Sequence, residues 1–298
     1  MELIKNPHLN FMGARRYGYI FSGILIIISL ILLLFKGPKL GVDFSGGALV
    51  WVKFENDIEI SEIRSALAAI GQAQASIQKL SGTNEFVIRS VEKKDPEKFA
   101  NEVIGQLNKS FPQNPIDIRA KETVEPKISK ELTRNTIIAV IIALILMGIY
   151  IWFRFDYRFG ICSAFSLLHT VLIAIGALIL TNREFTIPIV GALLTIIGYS
   201  INDTIVISDR VRENRKKLKG VSFIDLVNTS INECFSRTIL TGSAVIFTLF
   251  CFFFLGGPVI ADFAFTLIVG FIFGTYATTF VVCALVVDWE IKFPKRKK

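Results

Sequence analysis

An aspartate lies inside one of the long apolar segments of this chain. The stretch "GYSINDTIVISDR" (198–210) closes an apolar run from Phe185 to Ser208, and within it Asp203 follows Asn202. A carboxylate at membrane depth costs about 2.5–3.5 kcal/mol on insertion scales, so it is expected to face other helices or a water-filled cavity. Such a group can load and release a proton, because burial and nearby charges act on it in opposite directions.

The residues around Asp203 indicate how it could be tuned. Thr195, Tyr199 and Asp203 recur at intervals of four residues, which places them on one face of a helix. Arg237 begins the next apolar segment at a comparable depth, and Thr241 follows one turn later. Since a single connection joins the two segments, Asp203 and Arg237 are expected to come close. An arginine favours the ionised carboxylate, whereas loss of solvent favours the neutral acid.

Two interpretations of this pair stay open on the residues alone. Either Asp203 carries protons as the helices shift, or Asp203 and Arg237 form a static clamp. Hydrogen bonds from Asn and Ser neighbours to Asp203 would be a further static arrangement. An intramembrane aspartyl protease is disfavoured, because no second intramembrane Asp stands in a G-x-G-D context.

These residues need a membrane bundle around them, and the composition supports one. Hydrophobic residues make up 52% of the 298 residues, charged residues 19%, and the mean hydropathy is +0.55. Crossing a hydrocarbon core of about 30 Å takes roughly 20 helical residues. The first apolar segment reads as a retained anchor, because it is long for a signal peptide and no A-x-A-like site follows it. The predicted spans are 17–35, 135–153, 159–180, 185–208, 238–256 and 263–287.

Lys and Arg in the short connections predict the orientation. With alternating sides, one side carries 17 basic residues and the other carries only Arg183. Both termini are therefore predicted to be cytoplasmic, and the segment 36–134 to be exported. Attraction of the basic rims to anionic membrane lipid explains the net charge of +8 without a nucleic-acid partner. The stretches 210–220 and 292–298 could also touch ribosomal RNA or an acidic protein, although their topological role is sufficient.

The segment 36–134 reads as one ferredoxin-like α+β domain. The strand patterns "ALVWVKF", "ASIQKL", "EFVIRSV" and "PIDIRAKETVE" combine with two amphipathic helices in the order β-α-β-β-α-β. Gly71 is predicted as a C-cap, and Asp95 followed by Pro96 is typical of a helix start. "SGTN" (81–84) is predicted as a hairpin turn.

The predicted fold class is thus a membrane α-helical protein with this domain between its first and second spans. It comprises 1–35 (cytoplasmic tail and first span), 36–134 (exported domain) and 135–298 (five spans, with a basic cytoplasmic loop at 209–236 and a basic C-terminal tail).

No arrangement of side chains in the sequence indicates enzymatic chemistry. The four cysteines lie outside the exported segment, so no disulfide framework is predicted there, and no metal-ligand spacing occurs. Neither a nucleophile–base set nor a Gly-rich phosphate loop is present. His169 lies mid-span and invites a functional interpretation, but a neutral histidine bonded to a carbonyl or hydroxyl is the commoner case. We therefore expect no enzymatic activity and no cofactor.

Two groups of small residues indicate unusual backbone geometry or close packing. Gly46 and Gly47 precede the first strand and would allow a tight turn or close backbone approach. The last predicted span carries small residues at steps of four, which allow helices to approach closely. This seam consists of Thr266, Gly270, Gly274 and Thr278. It could face either the chain's own bundle or a partner.

Several long motifs, in this order and over essentially the whole chain, resemble the SecF family. They are "GVDFSGG" (41–47), "GYSINDTIVISDRVREN" (198–214), "NTSINECFSRTILT" (228–241) and "FAFTLIVGFIFGTYATTFV" (263–281). That family is a membrane subunit of the bacterial Sec protein-export machinery. The resemblance implies kinship to proton-driven transporters of the resistance–nodulation–division type, whose halves share this layout.

The resemblance also implies partners and roles. It implies residence in the bacterial inner membrane and association with SecD, a related six-span protein, and with the SecYEG channel. YajC and YidC are further candidate partners, and unfolded secretory polypeptides would contact the exported domain. Asp203 in "SINDT" and Arg237 in "CFSRT" match the positions to which the family's proton flow is assigned, and a further Asp of that pathway belongs to SecD. Whether the coupling ion is H⁺ or Na⁺ stays open.

The predicted function is accordingly an accessory translocase subunit that, with SecD, uses the proton motive force in late steps of protein export. Two other classes are weighed against it. An independent proton-coupled exporter of lipids or small molecules would normally need a second six-span half, which this chain lacks. A structural scaffold would hold Asp203 and Arg237 as a static pair.

Overall fold

The computed structural model describes residues 8–80, 83–90 and 95–294. The chain forms two compact units: a membrane unit that holds the long helices, and a smaller unit comprising Leu40–Ile137 and Phe185–Ile187. The elements in chain order are α1 (Arg15–Phe35), β1 (Lys39–Leu40), α2 (Val42–Ser45), β2 (Gly47–Phe54), α3 (Ile60–Ala68), β3 (Ser76–Lys79), β4 (Glu85–Ser90), α4 (Pro96–Ser110), β5 (Ile116–Val124), α5 (Pro126–Arg154), α6 (Tyr157–Leu180), β6 (Glu184–Phe185), α7 (Ile187–Lys217), α8 (Phe223–Leu255), α9 (Gly257–Ala277), a π-helical turn (Thr278–Cys283) and α10 (Ala284–Lys292).

The six predicted membrane helices are confirmed. Within the described chain, α1, α5, α6, α7, α8 and the continuous helix formed by α9, the π-helical turn and α10 are long and apolar enough to span a bilayer. α6, α7 and the last helix are mostly buried in the bundle, whereas α1, α5 and α8 expose most of their apolar residues. Phe247 and Phe254 on α8 are among these exposed side chains.

Most of the segment 209–236, predicted as a loop between two spans, is helical. α7 continues to Lys217 and α8 begins at Phe223, so only a short connection separates them. Hydropathy detects only the apolar part of a helix. The charged continuation is helical because Arg, Lys and Glu are good helix formers. Arg210 and Glu213 also form an ion pair one turn apart.

The helix after the smaller unit also begins earlier than predicted. α5 begins at Pro126, so residues 126–134, predicted to belong to the exported domain, are its first turns. Lys127, Lys130 and Glu131 lower the hydropathy of these turns. A search for apolar runs therefore begins the span at 135.

The smaller unit has the predicted ferredoxin-like fold. Its sheet has the order β3-β4-β2-β5, and all neighbouring strands are antiparallel. With α3 and α4 as the crossovers, this is the β-α-β-β-α-β topology. Alternate residues of β2, from Ala48 to Phe54, are buried in one core with Leu67 of α3 and Phe99 of α4. Ser81 and Gly82 of the predicted hairpin turn lie outside the described residues.

The predicted capping residues lie at the C-terminus of α3 and at the N-terminus of α4. The Asp95 side chain accepts a hydrogen bond of 2.9 Å from the Lys98 backbone N–H, and Pro96 is the first residue of α4. Gly71 follows α3 with φ of 75°, a left-handed conformation that glycine adopts at helix C-termini. The predicted N-cap and C-cap are therefore confirmed.

Candidate functional site

Asp203 lies in the buried interior of the membrane unit. It projects from α7, is only 3% exposed, and accepts a hydrogen bond of 3.0 Å from the Thr275 hydroxyl on α9. Sequence reasoning missed Thr275, which directly follows Gly274 of the small-residue seam. Its position in the sequence could have indicated it. Small residues let a neighbouring helix approach closely, so a hydroxyl next to them can reach a polar group on that helix.

Arg237 is near Asp203 but does not pair with it directly. It projects from α8 and is exposed on the surface of the isolated chain. Its guanidinium attracts the Asp203 carboxylate electrostatically. Among the described residues, however, no ion pair within 4.0 Å joins them, and the guanidinium of Arg237 donates instead to Cys234 Sγ at 3.9 Å. The geometry is therefore not that of a tight Asp–Arg clamp.

The polar stripe that accompanies Asp203 divides between two environments. The Tyr199 ring packs edge-on against Phe271 with centroids 4.0 Å apart, and its hydroxyl lies beside the Thr241 side chain. Thr195 and Asn202 face outward and are exposed. Tyr199 and Thr241 therefore bridge α7 and α8 beside the buried carboxylate, whereas Thr195 and Asn202 are available to lipid or to a partner.

The small-residue seam packs inside the chain's own bundle. Gly270 lies against the Ile196 side chain of α7, leaving no space for a Cβ atom. A Cβ at Gly274 would lie 3.3 Å from Ser200 on α7 and 3.8 Å from Thr170 on α6. One turn further, the hydroxyls of Thr278 and Thr204 are 3.2 Å apart. Thr266, the remaining member of the seam, is fully buried.

The glycine motif contributes a turn and a helix cap. Gly46 and Gly47 have φ of 72° and 119°, values that other residues rarely adopt. In the same compact unit, Asp43 Oδ2 accepts a hydrogen bond of 2.9 Å from the backbone N–H of Ile187. Ile187 is the first residue of α7, so Asp43 caps the helix that carries Asp203.

Ion pairs join the helices at the end of the membrane unit where α7 ends. Glu290 of α10 accepts from Arg158 of α6 and, at 2.7 Å, from Arg215 of α7. The Arg158 side chain is almost fully buried. Arg15 of α1 donates to Asp288 at 2.9 Å. Several basic residues of this rim are thus engaged within the chain; residues 1–7 and 295–298, which also carry basic side chains, lie outside the described part.

Histidine and cysteine form no metal site in the described chain. No group of three or more His, Cys, Asp or Glu side chains is placed to hold a metal ion in the ranges that the structure describes. The prediction that His169 bonds to a carbonyl or hydroxyl is wrong. Its buried ring stacks on Tyr276 with centroids 6.5 Å apart, and neither nitrogen has a hydrogen-bond partner among the described residues.

Sequence comparison places these features in a known family. Residues 103–292 match the family of the protein export membrane protein SecD/SecF, C-terminal, and residues 31–58 match the SecD/SecF GG motif. The protein translocase subunit SecF of Desulfurispirillum indicum is 38% identical, covering 98% of this chain and 95% of that protein. The SecF subunit of Haemophilus influenzae is 36% identical, covering 95% of this chain and 86% of that protein.

Comparison with solved structures indicates the same family as the sequence comparison. The crystal structure of SecDF, a translocon-associated membrane protein from Thermus thermophilus, superposes with a TM-score of 0.84 at 37% sequence identity. The match covers 96% of this chain and 39% of SecDF, so the chain corresponds to about two fifths of that longer protein. A second SecDF structure, in a super-membrane-facing form, gives a TM-score of 0.72. The chain therefore belongs to the SecD/SecF family of protein export membrane proteins.

Proposed function

We propose that this chain is an accessory subunit of the Sec translocase that, together with SecD, uses the proton motive force to promote late steps of protein export. The observation that carries the proposal is Asp203, a buried carboxylate in the membrane unit. Its one close polar partner among the described residues is the Thr275 hydroxyl. A neutral donor and a more distant arginine leave the carboxylate free to change protonation, which a tight ion pair would oppose.

The arrangement around Asp203 favours a proton carrier over a static clamp. In a clamp, each charge of a buried pair compensates the other through direct contact. Arg237 instead lies on the chain surface and acts on Asp203 from beyond 4.0 Å. Rotation of α8 could then change the attraction between the two groups and with it the proton affinity of Asp203.

SecD is the partner that completes this site in the proposal. The Thermus thermophilus relative carries SecD and SecF in one polypeptide, SecDF. On this chain, Arg237, Thr195 and Asn202 face outward within membrane helices, where polar groups are expected to meet a protein partner or water rather than lipid. SecYEG, YajC and YidC are proposed as further members of the assembly, on the strength of the family alone.

The proposed location is the bacterial inner membrane with both termini cytoplasmic and the ferredoxin-like unit exported. The asymmetry of 17 basic residues against one supports this orientation. In this orientation the ferredoxin-like unit would contact unfolded polypeptides that emerge from the channel. We propose a non-enzymatic role, with coupling to H⁺ or Na⁺ decided by experiment.

The test replaces Asp203 by Asn, which keeps the shape and a hydrogen-bonding oxygen but does not titrate. Inverted membrane vesicles containing the variant and SecD are supplied with SecA, ATP and a preprotein, with and without a proton gradient. We expect Asp203→Asn to abolish the increase in protease-protected preprotein that the gradient causes, and to leave the ATP-driven part unchanged. Asp209→Asn, an exposed carboxylate on the same helix, is the matched control.

A double substitution separates the proton carrier from the clamp. Under the clamp, Asp203→Asn and Arg237→Met would each weaken association with SecD, and the neutral double variant would recover both assembly and export. Under the proposal, all three variants assemble, and the double variant exports no better than Asp203→Asn. Gradient-stimulated export at the wild-type level from Asp203→Asn would refute the proposal.

A further inference from the structure

The segment that precedes α1 lies along the first turns of α8. We call residues 9–12 of this segment the strap. It contacts Asn228 and Asn232, two asparagines of the stretch "NTSINECFSRTILT" (228–241). The two asparagines are four positions apart, so they share one face of α8. The function proposed for Asp203 does not involve them, and their presence needs an explanation of its own.

The two asparagines bind the backbone of the strap. Asn232 Oδ1 accepts a hydrogen bond from the Leu9 backbone N–H at 2.9 Å, and Asn232 Nδ2 donates to the Leu9 carbonyl at 2.9 Å. Asn228 Nδ2 donates to the same carbonyl at 3.0 Å, and Asn228 Oδ1 accepts from the Met12 N–H at 3.1 Å. A side-chain amide offers one acceptor and two donors, so Asn232 pairs with both backbone groups of Leu9 as a neighbouring β-strand would. These four bonds do not depend on which side chains the strap carries.

The two ends of the strap are held by different forces. The Leu9 side chain is 47% exposed, so Leu9 is fixed mainly through its backbone. Met12 is fully buried, and the Phe11 ring lies with its centroid 5.5 Å from that of Phe235 on α8 and 6.1 Å from that of Phe280 in the π-helical turn. Chain termini are poorly ordered unless they are tied down. Hydrogen bonds and apolar contacts together tie this segment to α8.

The strap joins α8 to two helices that pack on each other without it. α1 approaches the last helix closely, because a Cβ atom at Gly18 would lie 2.9 Å from the Phe280 Cβ. Arg15 and Tyr19 of α1 both donate to Asp288 of α10, at 2.9 Å and 2.8 Å. α8, in contrast, exposes most of its apolar residues. The strap therefore adds an attachment to the helix that the bundle covers least.

We propose that Asn228 and Asn232 form a binding site for the peptide backbone of the strap, and that the docked strap keeps the first turns of α8 attached to α1 throughout export. The binding site reads the N–H and C=O groups of residue 9, so it accepts any residue there that has a backbone N–H. The role in export rests on the proposed function, whereas the binding of the strap does not.

Hydrogen exchange of the purified full chain tests the binding site without reference to export. Asn232→Asp keeps the shape and an acceptor oxygen, but it replaces Nδ2 by an oxygen. Nδ2 donates to the Leu9 carbonyl at 2.9 Å and to the Asn228 carbonyl at 2.8 Å, so the new oxygen would repel both. Thr229→Ala is the matched control, because Thr229 is a half-buried polar residue between the two asparagines. Mass spectrometry follows peptides that cover residues 8–13, with peptides of α6 as the control for folding.

We expect Asn232→Asp to make exchange in residues 9–12 roughly tenfold faster, because the backbone groups lose their partners, and Thr229→Ala to leave it unchanged. A second pair of variants changes the strap itself. Leu9→Ala should keep the wild-type rate, whereas Leu9→Pro, which has no backbone N–H, should make exchange at Met12 faster. Wild-type exchange in Asn232→Asp would overturn the binding site. Equal rates in Leu9→Ala and Leu9→Pro would also overturn it, because the backbone would then not be what the asparagines bind.

A removable crosslink tests whether the strap acts in export by keeping α8 attached. In a background with the four native cysteines replaced by Ala, Phe11→Cys and Phe235→Cys are introduced. The two rings are in contact, so a short bifunctional methanethiosulfonate can join the cysteines, and reductant removes it. Export by inverted vesicles containing SecD is measured with and without the additional changes Asn228→Asp and Asn232→Asp. We expect these two changes to lower export about fivefold, and the crosslink to restore most of it until reductant is added.

Three outcomes would overturn the role of the strap. Full export without the two asparagines would show that the attachment is not needed. A loss of export that the crosslink does not restore would have a cause other than detachment of the strap. Export that the crosslink abolishes when both asparagines are present would mean that the strap has to be released. The exchange rates do not depend on whether Asp203→Asn abolishes coupling, so the binding site and the proposed function fail separately.

Discussion

At the scale of single residues, the proposed role of Asp203 depends on the small number of hydrogen-bond donors and charged groups that contact its carboxylate. Among the residues that the structure describes, the carboxylate has one neutral donor, Thr275, and no ion pair within 4.0 Å to Arg237. A carboxylate held by several donors or by a close arginine would stay ionised. The sparse contacts are thus the feature that distinguishes a group that can titrate from one that serves only packing.

Thr275 therefore provides a residue-scale prediction. Thr275→Val should lower gradient-stimulated export about tenfold, the factor that corresponds to about 1.4 kcal/mol, because the ionised form of Asp203 loses a hydrogen bond. Thr275→Ser should retain most of the stimulation. The measurement is protease-protected preprotein in inverted vesicles, with SecD copurification as the assembly control. A Val variant that behaves like the Ser variant would show that this hydrogen bond has no part in coupling.

Sequence patterns predicted Asp203 and its helix but not its partner. Asp203 is conspicuous because a charge interrupts an apolar run, and this signal is local. Thr275 is 72 residues away, and a threonine in a membrane helix is common, so only tertiary packing identifies it. The environment of His169, whose ring nitrogens have no hydrogen-bond partner in the described part of the chain, was missed for the same reason: local sequence does not show whether a neighbouring helix offers a partner.

At the scale of elements, the ends of α7 are fixed in different ways. Asp43 caps its first residue, Ile187, while the other end is held by pairs such as Arg215 with Glu290. The cap was not predictable because the two residues are 144 positions apart. The sequence predicted the apolar parts of the membrane helices but not their charged ends. The charged turns resemble loops in composition, so hydropathy does not identify them as helical.

The cap gives an element-scale prediction. Asp43→Ala should destabilise the first turn of α7 by roughly 0.5–2 kcal/mol, the usual cost of losing an N-cap, whereas Asp43→Asn should retain most of the stability. Hydrogen exchange of the full chain, measured by mass spectrometry on peptides covering residues 187–192, reports this directly. Protection of those residues unchanged by Asp43→Ala would mean that the contact does not stabilise α7.

The core of the ferredoxin-like unit gives a second prediction at the scale of elements. Phe54 is fully buried, and its ring packs edge-on against Phe86 at 5.6 Å and Phe111 at 5.6 Å. We expect residues 40–125 to fold alone as a monomer that reductant does not affect, since the segment contains no cysteine. Phe54→Ala should then cost about 3–5 kcal/mol in urea unfolding. Trp51→Phe, on the other face of β2, is the control and should cost less.

At the scale of the whole molecule, the distribution of charge determines which side of the membrane each part occupies. The side with 17 basic residues should remain in the cytoplasm, because Lys and Arg in short connections resist translocation. Lys109 on α4 and Lys216 at the end of α7 are both exposed, so they form a matched pair for labelling. In a background without native cysteines, Lys109→Cys should react with an impermeant maleimide added to intact spheroplasts, and Lys216→Cys should react only after permeabilisation. Labelling of Lys216→Cys from outside, with Lys109→Cys protected, would invert the orientation.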